Sequence, residues 1–506
     1  MRLPLLGGSY TSRSVIATAQ KCINYFPEIN PKSALVPITH YQRPGLKPVK
    51  TVGSGPIRAI YRPSTGVGAY VASGREIYRI DESWNATLLG TITPFRTNPV
   101  SMIDNGISDI ASSQQIMIVD GSSNGWTASL VGAPNFQQIV DSTGAFTGAR
   151  RVDFMDTFIL WNVPGTSRFG STLSNQIQPF DPLYTAAKTD YPDFLETIII
   201  NRHEILLMGT LKSEAWFNNG GALFPFAELP GAFVEHGIVA PYSIAAQDVS
   251  TYWLAQNLQG TGMVMRYRGY STQRISNHAL EYAIRQMRLT SRIDDAIGYT
   301  YQLDGHVYYV LQFPSGDQTW VYDEAVSDPM LAWHQEAWAD GDGVLHRHRG
   351  NCAAYINGLN VCGDWQDGTI YEMDPNEYAD TVQGDRTPLT CIRTFPQVGA
   401  GMLANGLPSE YDGKRLKFNA FIADFEGGAS DLAQPPQEIS LRWSDDRGRT
   451  WGNPVLQGAG AQGEFDIQPV WRDLGIARYR TFELSHSIDG PAALNGAWVD
   501  VTVSGT

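Results

Sequence analysis

Through the middle of the chain an apolar run, a turn and a strand carrying an aromatic residue follow one another again and again. The unit occurs seven times: "AYVASGREIYRID" from Ala69, "IMIVDGSSNGWTASL" from Ile116, "FILWNVPGTSRFGSTL" from Phe158, "ILLMGTLKSEAWFNN" from Ile205, "TYWLAQNLQGTGMVMRYRG" from Thr251, "VYYVLQFPSGDQTWVYDE" from Val307 and "LNVCGDWQDGTIYEMD" from Leu359. Each reads as one antiparallel hairpin. Successive starts lie about 42 to about 56 residues apart, the size of a four-stranded propeller blade. A lone hairpin exposes an apolar face that it cannot bury, and stacking the units around an axis hides those faces and leaves only short edges. The pattern therefore predicts an all-β chain with a β-propeller of about six to eight blades over residues 51–384.

The flanks read differently. Residues 1–50 are rich in proline and polar residues and lack sustained periodicity, which predicts an extended arm. Pro27, Pro31, Pro37, Pro44 and Pro48 lack donors and hold φ fixed, so the arm makes a poor central strand. After "RTPLTCIRTFPQVG" come "RLKFNAFIADFEG", "EISLRWSDD", "YRTFELSHS" and "AWVDVTVSG", with Val499, Val501 and Val503 on one face and Asp500 and Thr502 on the other. Such half-buried strands predict a C-terminal β-sandwich over 385–506, with "GGASDLAQPPQ" as a loop between two strands. One helix is expected, in "SNHALEYAIRQMRL". There Leu280, Ile284 and Met287 form a stripe for core packing, and Ser276 or Asn277 caps the first turn.

Composition sharpens this. The 50 glycines and 29 prolines among 506 residues supply frequent turns, as an all-β chain requires. A formal net charge of −14 argues against a general nucleic-acid or anionic-membrane binder, because such proteins present a basic face. The basic runs "KPVK" and "GKRLK" are short and read as solvated strand ends. The N-terminal apolar run is too short for a signal peptide, and no stretch approaches a membrane span, so synthesis in a cytoplasm without membrane anchoring is expected. Four scattered cysteines, Cys22, Cys352, Cys362 and Cys391, do not make a disulfide framework.

Candidate chemistry is sparse. "LRWSDDRGRTWGNP" carries Ser444, Asp446, Gly448, Thr450 and Trp451 in the order of the sialidase Asp-box. The residues suit a hairpin turn, since Asp446 with Ser444 or Thr450 can bond turn backbone and Gly448 can take positive φ. Sialidases repeat the motif in several blades, whereas here one copy lies outside the blade series. Asp294, Asp295, Asp304, Asp364 and Asp367 are the acids available for a glycosidase pair, but most sit in turn strings such as "LDGH" and "WQDGT". His346, His348, Cys352 and Cys362 are possible zinc ligands by type. A two-residue turn at Asn357-Gly358 would place Cys352 opposite Gly363 and Ala353 opposite Cys362, so the two thiols would project from opposite faces. Cys22, among apolar neighbours, reads as a buried thiol, and the 13 tryptophans and 23 tyrosines read as packing within and between blades. No catalytic, metal or cofactor site is assigned.

Several segments in order resemble the tail hub (nozzle) family of short-tailed bacteriophages, also described as packaged-DNA stabilisation proteins. They are "LPLLGGSYTSRS" followed by "KCINYFPEINP", then "RPGLKPV", "ETIIINRHEILLMGTLKSEAWFNNGG", the stretch beginning "VEHGIVAPYSIAAQDVSTYWLAQNLQG", and "DGHVYYVLQFPSGDQTWVYDEAVSDPMLAWHQEA". The match runs from the arm through the last hairpin and weakens in the sandwich. The resemblance implies a structural virion protein without catalytic residues. It implies a homo-oligomeric ring, usually six copies, below the portal and its adaptor, with a needle or plug and tailspikes or fibres nearby. Such a ring closes the channel over packaged double-stranded DNA and later passes it without sequence-specific binding. The alternatives are a sialidase-like or other polysaccharide-active propeller, which would cluster arginines and acids at one mouth, and a non-catalytic glycan-binding tail component.

Overall fold

The computed structural model describes residues 2–4, 9–11, 13, 19–34, 36–94, 96–106, 114–221, 224–326, 328, 331–400, 413–426, 437–460, 463–464 and 468–504. The seven hairpins are the two middle strands of seven blades arranged in chain order. Blade 1 spans 57–91, blade 2 101–138, blade 3 152–187, blade 4 195–234, blade 5 237–274 and blade 6 297–339. Blade 7 takes three strands from 350–374 and its fourth from the arm: Gly45–Thr51 runs antiparallel to Thr369–Asp374, with Leu46 opposite Met373. The N-terminal side of the chain thus closes the circle.

Period-two alternation explains the stacking. In blade 2, Ile116 and Ile118 pack toward blade 1 with Tyr70 and Ile77, while Met117 and Val119 pack toward blade 3 with Ile159 and Trp161. In blade 4, Leu207 faces blade 3 and Leu206 and Met208 face blade 5. The same division gives a core between each neighbouring pair and ends with Ile356, Val361 and Ile370 of blade 7 against Ile57 and Val71 of blade 1. Trp126, Trp161, Trp216, Trp253 and Trp320 lie in these interfaces, the packing role expected of the aromatic residues. Burying such a side chain contributes about 1.5–3 kcal/mol.

The helix, His278–Thr290, fills the longest interval between hairpins. Asn277 caps it by accepting from the Leu280 amide (2.9 Å), and Leu280, Ile284 and Met287 are buried between blades 5 and 6. The hairpin at Asn357-Gly358 has φ of 50° and 84°, and its register sets Cys352 opposite Gly363 and Ala353 opposite Cys362.

The sandwich packs one sheet holding Leu416–Glu426 and Ala493–Val503 on another holding Glu438–Ser444 and Tyr479–His486. Phe418, Phe421, Phe482, Leu441, Leu484, Val499 and Val501 lie between them, with Val503 at the margin. The expected loop over 427–437 falls almost wholly outside the described residues.

The arm is extended, but from Cys22 onward it is woven into the sheets of propeller and sandwich, and Cys22–Ile23 and Gly45–Thr51 each lie between two strands, where its prolines had argued against a central strand. Cys22–Ile23 bridges Trp333–Ala339 of blade 6 and Cys391–Thr394, which leads into the sandwich sheet. Tyr25–Ile29 and Ile38–Gln42 form a hairpin on the other sandwich sheet, with His40 opposite Leu494. The prolines are tolerated at edges and irregularities: Pro48 stands at a register shift opposite Tyr371.

Candidate functional site

The residues singled out in the sequence do not converge on one place. The Asp446 carboxylate accepts from the Arg449 amide (3.0 Å), the Thr450 amide (2.8 Å) and the hydroxyls of Ser444 (2.7 Å) and Thr450 (2.6 Å). These bonds, Thr450's first, hold its carboxyl well below the usual carboxylate range. Ser444 Oγ accepts from the Gly448 amide, and Gly448 has φ of 82°. Every partner belongs to the turn joining two sandwich strands, Glu438–Ser444 and Val455–Gly458.

Asp304 sits at φ 49° before Gly305 in a hairpin turn. Asp364, by contrast, is fully buried: Arg349 donates Nε to it (2.8 Å) and Tyr371 donates its hydroxyl (2.8 Å). Asp367 bonds the Thr369 amide (2.8 Å). His346 lies between Asp317 (2.7 Å) and Asp340 (3.3 Å), whereas His348 is buried in the short connection between the strands Leu345–Arg347 and Gly350–Ile356. Among the described residues no group of three or more His, Cys, Asp or Glu is placed to hold a metal. Burial pushes the Cys22 thiol up to about 11 and those of Cys352 and Cys391 up to about 12, which leaves them protonated and poor nucleophiles at neutral pH.

What the sequence did not reveal is the arrangement at the propeller axis. The innermost strands of the blades surround a channel of about 290 Å³ lined by Arg58, Arg151, Tyr242 and Asn351. A cavity of about 650 Å³ lies next to it on the face carrying the blade-to-blade connections, with Arg150, Tyr242 and Asn351 in both linings. Arginines converge there, and most tie blades together. Arg58 of blade 1 donates to the carbonyls of Asn98 (2.7 Å) and Gly74 (2.9 Å) and faces Asp120 of blade 2 at 3.7 Å, both side chains fully buried. Arg150, just before blade 3, pairs with Glu196 of blade 4, and Arg151 reaches the Ile244 carbonyl beside blade 5 (3.0 Å). Tyr242 comes from the blade 5 side and packs against Gly121, in the turn between the middle strands of blade 2, narrowing the axis; burial pushes its phenol up to about 12. The only signal in the sequence is an arginine at or just before several innermost strands, as in "PIRAIYR" and "GARRVDF".

A second constellation lies where arm, blade 6 and sandwich meet. Arg43 is buried and donates to Asp380 (2.5 and 3.1 Å), Asn24 Oδ1 (2.9 Å) and the carbonyls of Pro44 (2.8 Å) and Ala337 (3.0 Å). Glu336 is buried nearby, and desolvation raises its carboxyl from 4.5 to about 7 despite the field of Arg43. A carboxyl raised on folding contributes stability that is full below about 4.5 and is lost as pH climbs through about 7. Glu336→Gln is therefore expected to flatten the fall in stability between these pH values. Thermal melts of the two proteins across that window check it; parallel pH profiles would count against it.

Comparison with known families settles what this architecture belongs to. The model of the bacteriophage P22 Gp10 β-propeller matches residues 1–378, and that of the P22 Gp10 β-sandwich matches residues 409–502. The chain belongs to the P22 Gp10 family of phage tail hub proteins. The family models name the two layers described above in the same order, and membership makes the chain a phage tail component. No curated protein matches the sequence.

Solved propellers resemble the Gp10-family chain in part. The WD40 propeller domain of Doa1 has a TM-score of 0.37 at 8% identity, covering 66% of this chain and 97% of its own. The Pan2 WD40 domain of Neurospora crassa has 0.36 at 9%, covering 63% and 89%. The Cps50 (Swd1) propeller of Myceliophteria thermophila has 0.40 at 7%, covering 64% and 98%. Such low scores add nothing to the description of the sheets. Among the described residues no helix is long and apolar enough to cross a membrane.

Proposed function

We propose that copies of this chain, six by family resemblance, form a closed ring in the virion tail below the portal and adaptor. The ring retains the packaged genome and becomes its conduit at ejection, with tailspikes or fibres and a needle or plug as neighbours. Family membership across both propeller and sandwich carries the reading. The chain serves here as a structural element and no chemistry is assigned to it. In this division residues 1–50 are the arm, 51–384 the propeller and 385–506 the sandwich, with the arm lending its last strand to blade 7.

The propeller axis bears on where DNA would pass. A cavity of about 650 Å³ holds on the order of 20 waters at about 30 Å³ each, far too little for a duplex. The conduit in this reading therefore lies between copies. An acidic balance of −14 per chain suits such a lumen, since a wall that repels phosphate does not retard sliding. Particles assembled without this protein should fill with DNA and then lose it, leaving the genome open to added nuclease, and supplying the protein in trans should restore protection. Particles that keep nuclease-resistant genomes without it would contradict the retention role.

A further inference from the structure

We propose that a cavity where arm, propeller and sandwich meet takes an arginine side chain presented by a partner protein. The cavity, of about 470 Å³, lies between the arm hairpin, the hairpin tip of blade 6, the turn after Thr369–Asp374 and the sandwich. Alternation along the arm strands sets its wall. One face of the arm hairpin turns Tyr25 onto His486 of the sandwich, with ring centroids 5.6 Å apart. The other face brings Phe26 and Glu28 from one strand and Tyr41, opposite Phe26, from the next. Blade 6 adds Asp304 and His306, and Tyr378 and Glu426 complete the wall. Phe26, Tyr41 and Tyr378 are half-buried and keep ring surface open, while Asp304 and Glu426 are exposed.

The charge on this wall is one-sided. Glu28, Asp304 and Glu426 line the cavity, and no lysine or arginine is among the lining residues. Burial, then Glu28 and Glu426, push the Tyr41 phenol up, and burial, then Asp374 and Glu426, push up that of Tyr378. The acids therefore act on the rings of the same cavity. His306 is the one lining residue able to turn cationic. Its Nδ1 bonds the fully buried Asp323 (2.7 Å), so that pair brings no net positive charge, and its Nε2 lies 4.0 Å from Glu28. Two cations on adjoining elements are already paired, Lys47 with Glu372 and Asp374, and Arg386 with Glu377 and Asp489. Among the described residues neither Asp304 nor Glu426 has an ion-pair partner.

A guanidinium answers such a wall. It is always charged, its flat face stacks on aromatic rings, and its five N–H donors reach carboxylates on more than one side. An ammonium is compact and strongly hydrated and gains less from the rings. An anion would meet three carboxylates. The exposed acids mark an open mouth, through which a side chain can enter while its backbone stays outside, and arginine and tyrosine are enriched where proteins dock. The site belongs to the single chain and does not depend on ring formation.

The test is isothermal titration of the full-length protein at low salt with Nα-acetylarginine amide, N-acetylated alanyl-arginyl-alanine amide, Nα-acetyllysine amide and spermidine. Both arginine probes should saturate with Kd of about 10 mM or tighter and bind at least about threefold more tightly than the lysine probe. Glu28→Gln combined with Glu426→Gln should weaken them by about tenfold, and Tyr41→Ser, which removes one ring, by roughly threefold. Glu82→Gln combined with Glu438→Gln removes as much charge from exposed positions elsewhere and should leave binding unchanged. Circular dichroism and melting verify that the variants fold. No saturation to about 50 mM would overturn the proposal. So would tighter binding of spermidine or the lysine probe, which marks a site for amines, and so would exclusion of the tripeptide. Equal losses in the two double variants would overturn it as well, since net charge alone would then account for binding.

Discussion

Arg43→Met will destabilise the junction of arm, propeller and sandwich by about 3–5 kcal/mol, the cost of leaving a buried carboxylate without its cation. The guanidinium is 1% exposed and Asp380 4%. Without it Asp380 keeps, among the described residues, the bond from the Leu46 amide (3.2 Å), and the Asn24 side chain and the carbonyls of Pro44 and Ala337 each lose a donor. Arg43→Met combined with Asp380→Leu should recover much of the loss, because an apolar pair of similar volume often replaces a buried ion pair at little cost. Denaturant titration followed by tryptophan emission measures both. An Arg43→Met protein that unfolds at the wild-type midpoint would show that the node holds nothing together.

Removal of residues 1–51 will do more, and is expected to abolish a soluble, cooperatively folded chain. The strand Gly45–Thr51 completes blade 7 and lies between Thr369–Asp374 and Ala379–Val382, and Leu46 within it is fully buried against Tyr371, Met373 and Tyr301. Its loss bares the edge of Thr369–Asp374, a template for pairing with other chains. It also removes Cys22–Ile23, the link between blade 6 and the sandwich sheet. A deletion that stops at residue 20 retains all four arm strands after it and should remain folded. Light scattering and a thermal melt separate the two: aggregation confined to the longer deletion supports closure by the arm, and two equally well-behaved proteins would refute it.

The hairpins were legible in the sequence because their causes are local. Alternation within Ile116–Val119 decides which neighbour each side chain faces, and Asn357-Gly358 or Asp304-Gly305 supplies the positive φ that a tight turn needs. The helix was legible for the same reason, since cap and stripe lie within one stretch. The closure of the circle was not, because Leu46 finds Met373 on the far side of the propeller in sequence. A proline-rich segment carries no mark of the bulge that admits Pro48. Nor were the axial arginines legible. Arg58 becomes meaningful only beside Asp120, and Arg347 only above Trp365, after the blades are in place. The Asp-box points the other way: its residues meet as their spacing suggests, and among the described residues the side-chain hydrogen bonds of Ser444, Asp446 and Thr450 all stay within their own turn.

The most direct test is an electron-microscopy reconstruction of the tail at a resolution that traces this chain. The account predicts a closed symmetric collar of copies on the particle axis, with the DNA channel running between propellers and each propeller's own axis blocked near Tyr242. Dispersed single copies away from the channel, or duplex density threading an individual propeller, would contradict it.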